Sequence, residues 1–269
     1  MTSSVFYNRE NNIGIRMRAM EYIKLTKENI DAEHICCVMK DKRGEYCVET
    51  KKAWLRERLE EGLVFLKANV RGKVFIEYLP AEKAWCPIVA EDYLYINCLW
   101  VAGQFKGQGI GSALLESCIE DAKLQQKKGV VVLSSKGKMP FLSDGNFLKH
   151  KGFKVVDTAL ECYELLTLPL VQDAELPYFK PCAKQGKIDE GGMVLYYSNQ
   201  CPYAEKYAHI IAQMAIDRGF RMQLKKIGSY AAAQKMPIPI TMYGLFDEGH
   251  LLTHEILSEK KFEALLARK

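Results

Sequence analysis

The chain has 269 residues, of which 48% are hydrophobic and 26% are charged, a composition typical of soluble globular proteins with one or two domains. Its net charge of +5 suits small anionic ligands but is too weak to indicate nucleic-acid binding. No apolar run is long enough to span a bilayer, and the N-terminal residues lack the apolar core of a secretory signal. We therefore expect a cytoplasmic protein with neither nucleic acid nor membrane as a partner.

The nine cysteines are odd in number and irregularly spaced, with no CxxC pair and no cluster of histidines. A chain of this length does not need disulfides for stability, so we expect reduced thiols. The same spacing predicts no metal site. The sequence does not indicate an oligomeric state.

The first part of the chain alternates predicted strands and helices. Residues 1–19 are polar and aperiodic, and we interpret them as an N-terminal tail. Hydrophobic periodicity and turn residues predict the elements after this tail. These are a strand at 20–26, helices at 26–39 and 48–62, a hairpin at 63–79, a strand at 93–101, a helix at 112–123, a strand at 129–135, a short helix at 141–152 and one or two strands within 154–168.

A change in composition and periodicity marks the end of the first predicted domain, residues 20–170. Residues 169–192 hold three prolines and three glycines and show little periodicity, which predicts a partly packed linker at 171–190. Residues 191–269 then form a second α/β pattern of domain size. Its predicted order is strand, helix, strand, helix, two strands in a hairpin, and helix.

A glycine-rich loop, "FKGQGIGS", lies between the strand that ends at Val101 and the following helix. Helix N-termini leave amide N–H groups unpaired and favour anions. Glycine lets phosphate oxygens approach those amides without meeting a Cβ atom. Lys106 adds a charge, so the loop is a competent diphosphate site. A tight turn without a ligand is an equally good interpretation of the glycines alone.

The stretch "LWVAGQFKGQGIGSALLE" resembles the central motif of the GNAT family, the GCN5-related N-acetyltransferases. That pattern is Gln/Arg-x-x-Gly-x-Gly/Ala, and Lys106, Gly109 and Gly111 occupy its three fixed places; lysine at the first is a mild departure. The predicted element order over 21–168 also agrees with the family. The resemblance implies an α/β (α+β) fold with a mixed, splayed sheet flanked by helices.

The resemblance also implies acetyl-CoA as the acyl donor and an amine as the acceptor. The backbone of Leu99, Trp100 and Val101 would pair with pantetheine, and Asn146 would lie near it. The Trp100 side chain has an alternative role in core packing. The amides expected to hold the diphosphate belong to Lys106, Gly107, Gln108, Gly109, Ile110, Gly111 and Ser112.

Direct acyl transfer to an amine needs a base for the ammonium proton and an acid for the leaving thiolate. Glu77 interrupts an apolar strand where burial can raise a carboxyl pKa, which makes it the first candidate base. A place on the polar face of a half-buried strand is the alternative, and Asp92 and Tyr95 are weaker candidates. The tyrosine acid common in the family is replaced by Leu148, so either another group or solvent must supply the proton. Ser143, Asp144 and Cys98 are the nearby candidates.

The connection "LPAEKAWCPIVAEDY" between two predicted strands carries Trp85 and Tyr93. Long connections with aromatic side chains often wall a substrate pocket. The sequence does not identify the acceptor, which is either a small molecule or a peptide with a free amine. Packing beneath a lid is the alternative role for the two aromatic rings.

The second domain places Cys201 between a strand and a helix, in the stretch "CPYA". This resembles a glutaredoxin "CPYC" site in which Ala204 replaces the second cysteine. Pro239 precedes the predicted hairpin, as a cis-proline does in thioredoxin-like folds. The element order also fits, so the second domain resembles a small thioredoxin-like domain. A helix N-terminus favours a thiolate, so a monothiol redox or thiol-binding role and an inert scaffold are both open.

The combination resembles acetyltransferases with a YoaP-like C-terminal domain, and it extends over nearly the whole chain. The sequence therefore predicts an acetyl-CoA-dependent N-acetyltransferase that acts by direct transfer. A thiol-dependent protein using Cys201 and a non-catalytic sensor of CoA are the alternatives.

Overall fold

A computed structural model describes residues 20–35, 38 and 46–267. The predicted tail at 1–19 lies outside the described residues, as does part of the helix predicted at 26–39. The described residues 27–32 form turns instead of that helix. The Asn29 side chain accepts the Thr26 N–H at 2.9 Å and donates to the Lys24 carbonyl at 3.0 Å, so it competes with helical hydrogen bonding.

The first domain contains eight strands and three α-helices among the described residues. The strands are β1 (Tyr22–Lys24), β2 (Val64–Ala68), β3 (Val74–Pro80), β4 (Ile88–Val89), β5 (Tyr93–Val101), β6 (Gly129–Ser135), β7 (Lys154–Ala159) and β8 (Tyr163–Pro169). The helices are α1 (Cys47–Glu60), α2 (Ile110–Leu124) and α3 (Gly145–His150).

Seven of these strands form one mixed sheet in the order β1-β2-β3-β5-β6-β8-β7. Only β5 and β6 run parallel, and their pairing ends at Ile96 and Val132. On its other edge β5 stays paired with β3 as far as Val101. The sheet therefore opens between β5 and β6, which confirms the predicted mixed, splayed sheet.

A β-bulge at Asn97 lies where the sheet opens. Glu77 pairs with Cys98 while Tyr78 pairs with Ile96, which leaves Asn97 as the extra residue on β5. A bulge shifts the alternation of side chains by one position. Cys98 therefore follows Tyr95 onto the same face of the sheet.

Each face of this sheet packs against a different partner. Helix α2 covers one face through residues such as Leu114 and Leu115, and Leu148 of α3 joins that core. Helix α1 covers the other face through Trp54 and Leu55. The amphipathic pattern of each helix directs its apolar side chains toward the sheet.

The predicted linker is packed against the first domain. It contains β9 (Tyr178–Phe179), which pairs with β4, and a 3₁₀ turn over Pro181–Lys184. Phe179 and Ala183 are buried. The boundaries at residues 170 and 190 stay predictions.

The second domain has its elements in the predicted order. They are β10 (Met193–Tyr197), α4 (Pro202–Asp217), β11 (Met222–Lys226), α5 (Tyr230–Ala233), β12 (Tyr243–Asp247), β13 (His250–Thr253) and α6 (Glu259–Leu266). The sheet order is β11-β10-β12-β13, with β10 and β11 parallel. This order supports the thioredoxin-like interpretation, which stays a prediction.

The two domains share a continuous apolar core. One buried cluster contains Trp54 and Trp85 of the first domain together with Ile238 and Phe246 of the second. Polar contacts reinforce this packing, because Gln234 Nε2 donates to the carbonyl oxygens of two first-domain residues, Glu82 at 3.0 Å and Ala84 at 3.1 Å. Within the described part of the chain, no helix combines the length and the apolar character needed to cross a membrane.

Candidate active site

A cavity of about 440 Å³ lies between the two domains. Its first-domain wall is formed by residues of β3 and β5 and the loop residues 140–143, together with Lys73, Trp85 and Leu133. Its second-domain wall consists of residues 200–203 and 239–242. Cavities of this size are typical of small-molecule sites, and this one lies where β5 leaves β6.

Glu77 lines this cavity with an exposed fraction of only 1%. Its carboxylate is bound by Lys51 Nζ, at 3.1 Å from Oε1 and 2.9 Å from Oε2, and by the Asn97 side-chain amide. Opposite charge and hydrogen bonds offset the cost of burying both ions. The alternative that placed Glu77 on the polar face of a half-buried strand is wrong, because Glu77 and nearly all of β3 are buried.

Lys51 and Asn97 are site residues that the sequence reasoning missed. Lys51 is 1% exposed, and its Nζ lies 3.9 Å from the centroid of the Trp54 ring. The spacing of Lys51, Trp54 and Arg58 places all three on the buried face of α1. A lysine on the apolar face of an amphipathic helix was the signal that could have found it, whereas no sequence pattern marks the bulge at Asn97.

Three further predicted residues lie on the first-domain wall. Cys98 pairs across the strands with Glu77, and Ser143 lies on the loop before α3; both line the cavity. The Ser143 carbonyl accepts the Ser134 hydroxyl at 2.7 Å. Trp100 also lines the cavity and is 45% exposed, so the core-packing alternative for its side chain is wrong.

The glycine loop lies at the end of β5. Gly107 and Gly109 have φ of +77° and +76°, a region that favours glycine. A Cβ atom added at either position would meet nothing within 4 Å. The space in front of the backbone is therefore open, as a bound diphosphate requires.

Helix α2 begins directly after this loop, with Gly109 as its N-cap. No described side chain caps its first turn, so the first amides of α2 suit an anion. Lys106 is exposed beside them. These residues fit the diphosphate of acetyl-CoA, and their role in binding it stays a prediction.

Strand β5 joins the glycine loop to the cavity. Leu99 and Val101 both pack toward the α2 side of the sheet, and Leu99 also lines the cavity. The β5–β6 ladder has already ended at Ile96. From Leu99 to Val101, the backbone edge of β5 that is turned toward β6 therefore borders the opening in the sheet.

Helix α3 places Asn146 and Leu148 in different surroundings. Asn146 is exposed on its first turn, where its backbone N–H donates to the Asp144 carboxylate at 3.0 Å. Leu148 is 1% exposed and packs in the core. Position 148 therefore cannot supply a proton, because leucine has no proton to donate and its side chain is buried in the core.

The structure brings Cys201 and Pro239 together on the second-domain wall. Cys201 is the N-cap of α4 and is 9% exposed. The described residues contain no cis peptide bond, so the expected cis-proline at Pro239 is wrong. This loop is held instead by the burial of Ile238 and Ile240 and by a hydrogen bond from Thr241 to the Trp85 carbonyl.

The long connection before β5 contributes one of its two aromatic rings to the site. Trp85 is buried and lines the cavity, whereas the Tyr93 hydroxyl bonds the Glu175 carbonyl at 3.0 Å and its ring is core. Tyr95 lines the cavity, and burial raises its pKa well above the ordinary value, so it holds its proton at neutral pH. Among the described residues, no cluster of His, Cys, Asp and Glu is arranged to hold a metal.

Sequence comparison identifies two family regions in the chain. Residues 28–138 match the acetyltransferase (GNAT) family, and residues 222–264 match the YoaP-like family. Each match lies inside one of the predicted domains. The first covers α1 to β6 and includes the glycine loop.

A protein of Bacillus subtilis (strain 168), described as the uncharacterized N-acetyltransferase YoaP, is 42% identical over 247 residues. The alignment covers 92% of this chain and 98% of that protein. The molecule is thus an acyltransferase of the GNAT class, with acetyl-CoA as co-substrate. Within that class, the chain belongs to the family of the YoaP N-acetyltransferase.

Solved GNAT structures resemble the chain more distantly. An Escherichia coli GNAT N-acetyltransferase (YhbS), solved with CoA, has a TM-score of 0.41 and 13% identity, covering 64% of this chain and 94% of that chain. A Brucella melitensis GNAT acetyltransferase, solved with acetyl-CoA, has a TM-score of 0.36 and 15% identity, covering 59% and 93%. The family assignment rests on the sequence matches.

Proposed function

We propose that this enzyme transfers the acetyl group of acetyl-CoA directly to an amine held in the cavity between its two domains. The observation that carries the proposal is the course of β5. This strand runs past the buried Glu77 and along the opening in the sheet, and it is followed by the glycine loop. One strand therefore connects a fitting donor site with a fitting acceptor site.

The donor would be held mainly by backbone. The amides from Lys106 to Ser112 would bind the diphosphate, and Leu99 to Val101 would pair with the pantetheine arm. Asn146 would lie near that arm. A backbone N–H of β5, in the part that follows the bulge at Asn97, is suited to stabilise the oxyanion that forms during transfer.

The acceptor ammonium must lose a proton before it can attack the thioester. Glu77 is the only acidic side chain among the described residues that line the cavity. A carboxylate offers about four acceptor positions, of which Lys51 and Asn97 use three. We propose that the remaining position receives the proton, directly or through one water.

The leaving thiolate of CoA must gain a proton. Because Leu148 packs in the core, we propose that Ser143 or Cys98 supplies it. The two residues lie on different segments of the first-domain wall. Separate Ser143→Ala and Cys98→Ala variants would assign the step, since loss of the true donor should reduce turnover while acetyl-CoA affinity is unchanged.

Calorimetry with acetyl-CoA tests the donor site through a matched pair at Gly109. Asp and Asn tolerate positive φ better than other residues, and the two differ only in charge. We expect Gly109→Asp to bind at least about tenfold more weakly than Gly109→Asn, because a carboxylate would repel the diphosphate. Equal affinities would contradict the diphosphate site.

Cys201 offers a second candidate activity because it lies on the wall of the same cavity. A monothiol role would require a reactive thiol at this position. Alkylation kinetics of the native protein, compared with Cys201→Ser, would measure that reactivity. Slow alkylation with the pH dependence of an ordinary thiol would eliminate this alternative.

The cytoplasmic location of the protein stays a prediction.

A further inference from the structure

We infer that the second domain forms the specificity wall of the acceptor site and restricts the substrate to a compact, largely apolar molecule with a single amine. The inference rests on the proposed function. It assigns the YoaP-like domain a part in substrate selection and gives the acceptor a chemical class. The decisive features are the shape, polarity and rigidity of the wall that residues 200–203 and 239–242 form.

This wall is fixed in place by the core of the protein. Ile238 and Ile240 belong to the buried cluster that also contains Trp54 and Trp85 of the first domain. Thr241 is hydrogen-bonded to the Trp85 carbonyl. Since moving this wall would break the core shared by both domains, its shape is part of the resting structure.

The polar side chains of this wall are Gln200, Cys201, Tyr203 and Thr241, and Gln200 and Thr241 are hydrogen-bonded to each other. Gln200 Nε2 donates to Ser198 Oγ at 2.9 Å and to Thr241 Oγ1 at 3.0 Å, and Thr241 in turn bonds Trp85. A peptide acceptor would need partners for its amide groups along the cavity, because buried polar groups without partners are costly. The wall therefore favours an apolar body over a peptide.

The charges of the cavity restrict the number of amines. Among the described residues that line the cavity, Glu77 is the only one with an acidic side chain. Lys51 and Asn97 already bind its carboxylate. The other charged lining residue is Lys73. Its carbonyl accepts the Ala102 N–H at 2.9 Å, so it lies near the donor end.

Burial of a second ammonium without a partner would be unfavourable. A diamine is therefore a poor substrate. A monoamine can direct its one polar group toward Glu77 and pack its body against Trp85, Ile240 and Tyr203, all of which line the cavity. The volume of about 440 Å³ lies in the lower part of the usual range for ligand pockets, about 300–1,000 Å³, which favours a small body.

The test measures release of free CoA from acetyl-CoA with three probes: 2-phenylethylamine, 1,4-diaminobutane and trialanine. We expect kcat/KM for 2-phenylethylamine to exceed the other two values by at least about tenfold. A preference for the diamine or the peptide would overturn this inference and leave the proposed acetyl transfer intact. Acetyl-CoA binding with no CoA release for any amine would instead overturn the proposed function and this inference with it.

A matched pair of variants tests the wall itself. Tyr203 lines the cavity, whereas Tyr207 stacks on it at 6.3 Å one helical turn later and is not a lining residue. We expect Tyr203→Ala to raise KM for 2-phenylethylamine about tenfold, with acetyl-CoA affinity unchanged. Tyr207→Ala should stay within about twofold; equal effects of the two variants, or none from Tyr203→Ala, would contradict a specificity wall.

Discussion

The two ends of the site are built by different means. At the donor end, a continuous stretch from Leu99 to Ser112 presents backbone, positive φ at Gly107 and Gly109, and open space. At the acceptor end, an ion pair between α1 and β3 is buried beside a cavity that is lined by β3, β5, the start of α4 and the loop residues 239–242. The donor end is local in sequence, whereas the acceptor end is assembled from distant segments.

This contrast explains why one half of the chemistry is easier to predict. A diphosphate can be bound by amides that nearly every residue carries, so the required pattern is the placement of glycines and a helix start. An amine acceptor is recognised by side chains whose proximity depends on the tertiary fold. Breaking the buried ion pair at the acceptor end should therefore lower stability and turnover together, whereas adding a negative charge at the donor end should weaken the binding of acetyl-CoA.

Lys51→Met should affect the protein most strongly. This change leaves Glu77 as a buried carboxylate without its cation, which costs about 3–5 kcal/mol of the free energy of unfolding. Urea unfolding would measure it as a lower midpoint. The double variant Lys51→Met/Glu77→Gln should recover much of the loss, and a double variant no more stable than Lys51→Met would show that the ion pair is not the cause.

Glu77→Gln should have the next largest effect. It removes the proposed base while keeping the shape of the side chain, so kcat/KM for an amine should fall by about a hundredfold or more. Acetyl-CoA affinity, measured by calorimetry, should not change. Glu33→Gln is the matched control, because Glu33 forms an ion pair with the buried Lys67 outside the cavity; equal losses in both variants would contradict the catalytic role.

His254 should make the junction between the domains sensitive to pH. Its Nδ1 lies 2.6 Å from the Tyr163 hydroxyl, and burial lowers the pKa of His254 below its ordinary value of 6.5. The unfolded chain therefore binds the proton more readily, so stability is lost as pH falls below 6.5 toward the folded pKa.

Thermal unfolding between pH 8 and pH 5 would measure this effect, with each kcal/mol lowering Tm by about 2–4 °C. His254→Asn should flatten the part of the profile below pH 6.5. An unchanged profile in that variant would assign the pH dependence to other groups.

Gly111→Ala should have the smallest effect and probes the donor end alone. An added Cβ would lie 3.5 Å from Val101 Cγ2 and 3.8 Å from Phe147 Cζ, which are ordinary contact distances. We expect a gain of up to about 1 kcal/mol in stability, because alanine favours a helix over glycine. Acetyl-CoA affinity should stay within about twofold, and a large loss would show that the donor contacts this position more closely than Gly109.

The fold class came from the family resemblance, whereas local sequence was sufficient for the order of nearly all elements and the position of the glycine loop. These features depend on periodicity, turn residues and a motif within one stretch of chain. The helix predicted before α1 was wrong in its described part, because the local hydrogen bonds of Asn29 outweighed a helical pattern. The sequence marked Glu77 as a candidate base, left open whether its side chain is buried, and did not identify its partner.

The meeting of residues at the acceptor end depends on tertiary structure. Lys51 reaches Glu77 across 26 positions of the chain, and Trp85 meets Thr241 across 156. Contacts over such separations result from how helices and loops pack on a sheet, which no local pattern encodes. The cavity wall from the second domain has the same origin, because it exists only when the apolar faces of both domains are buried against each other.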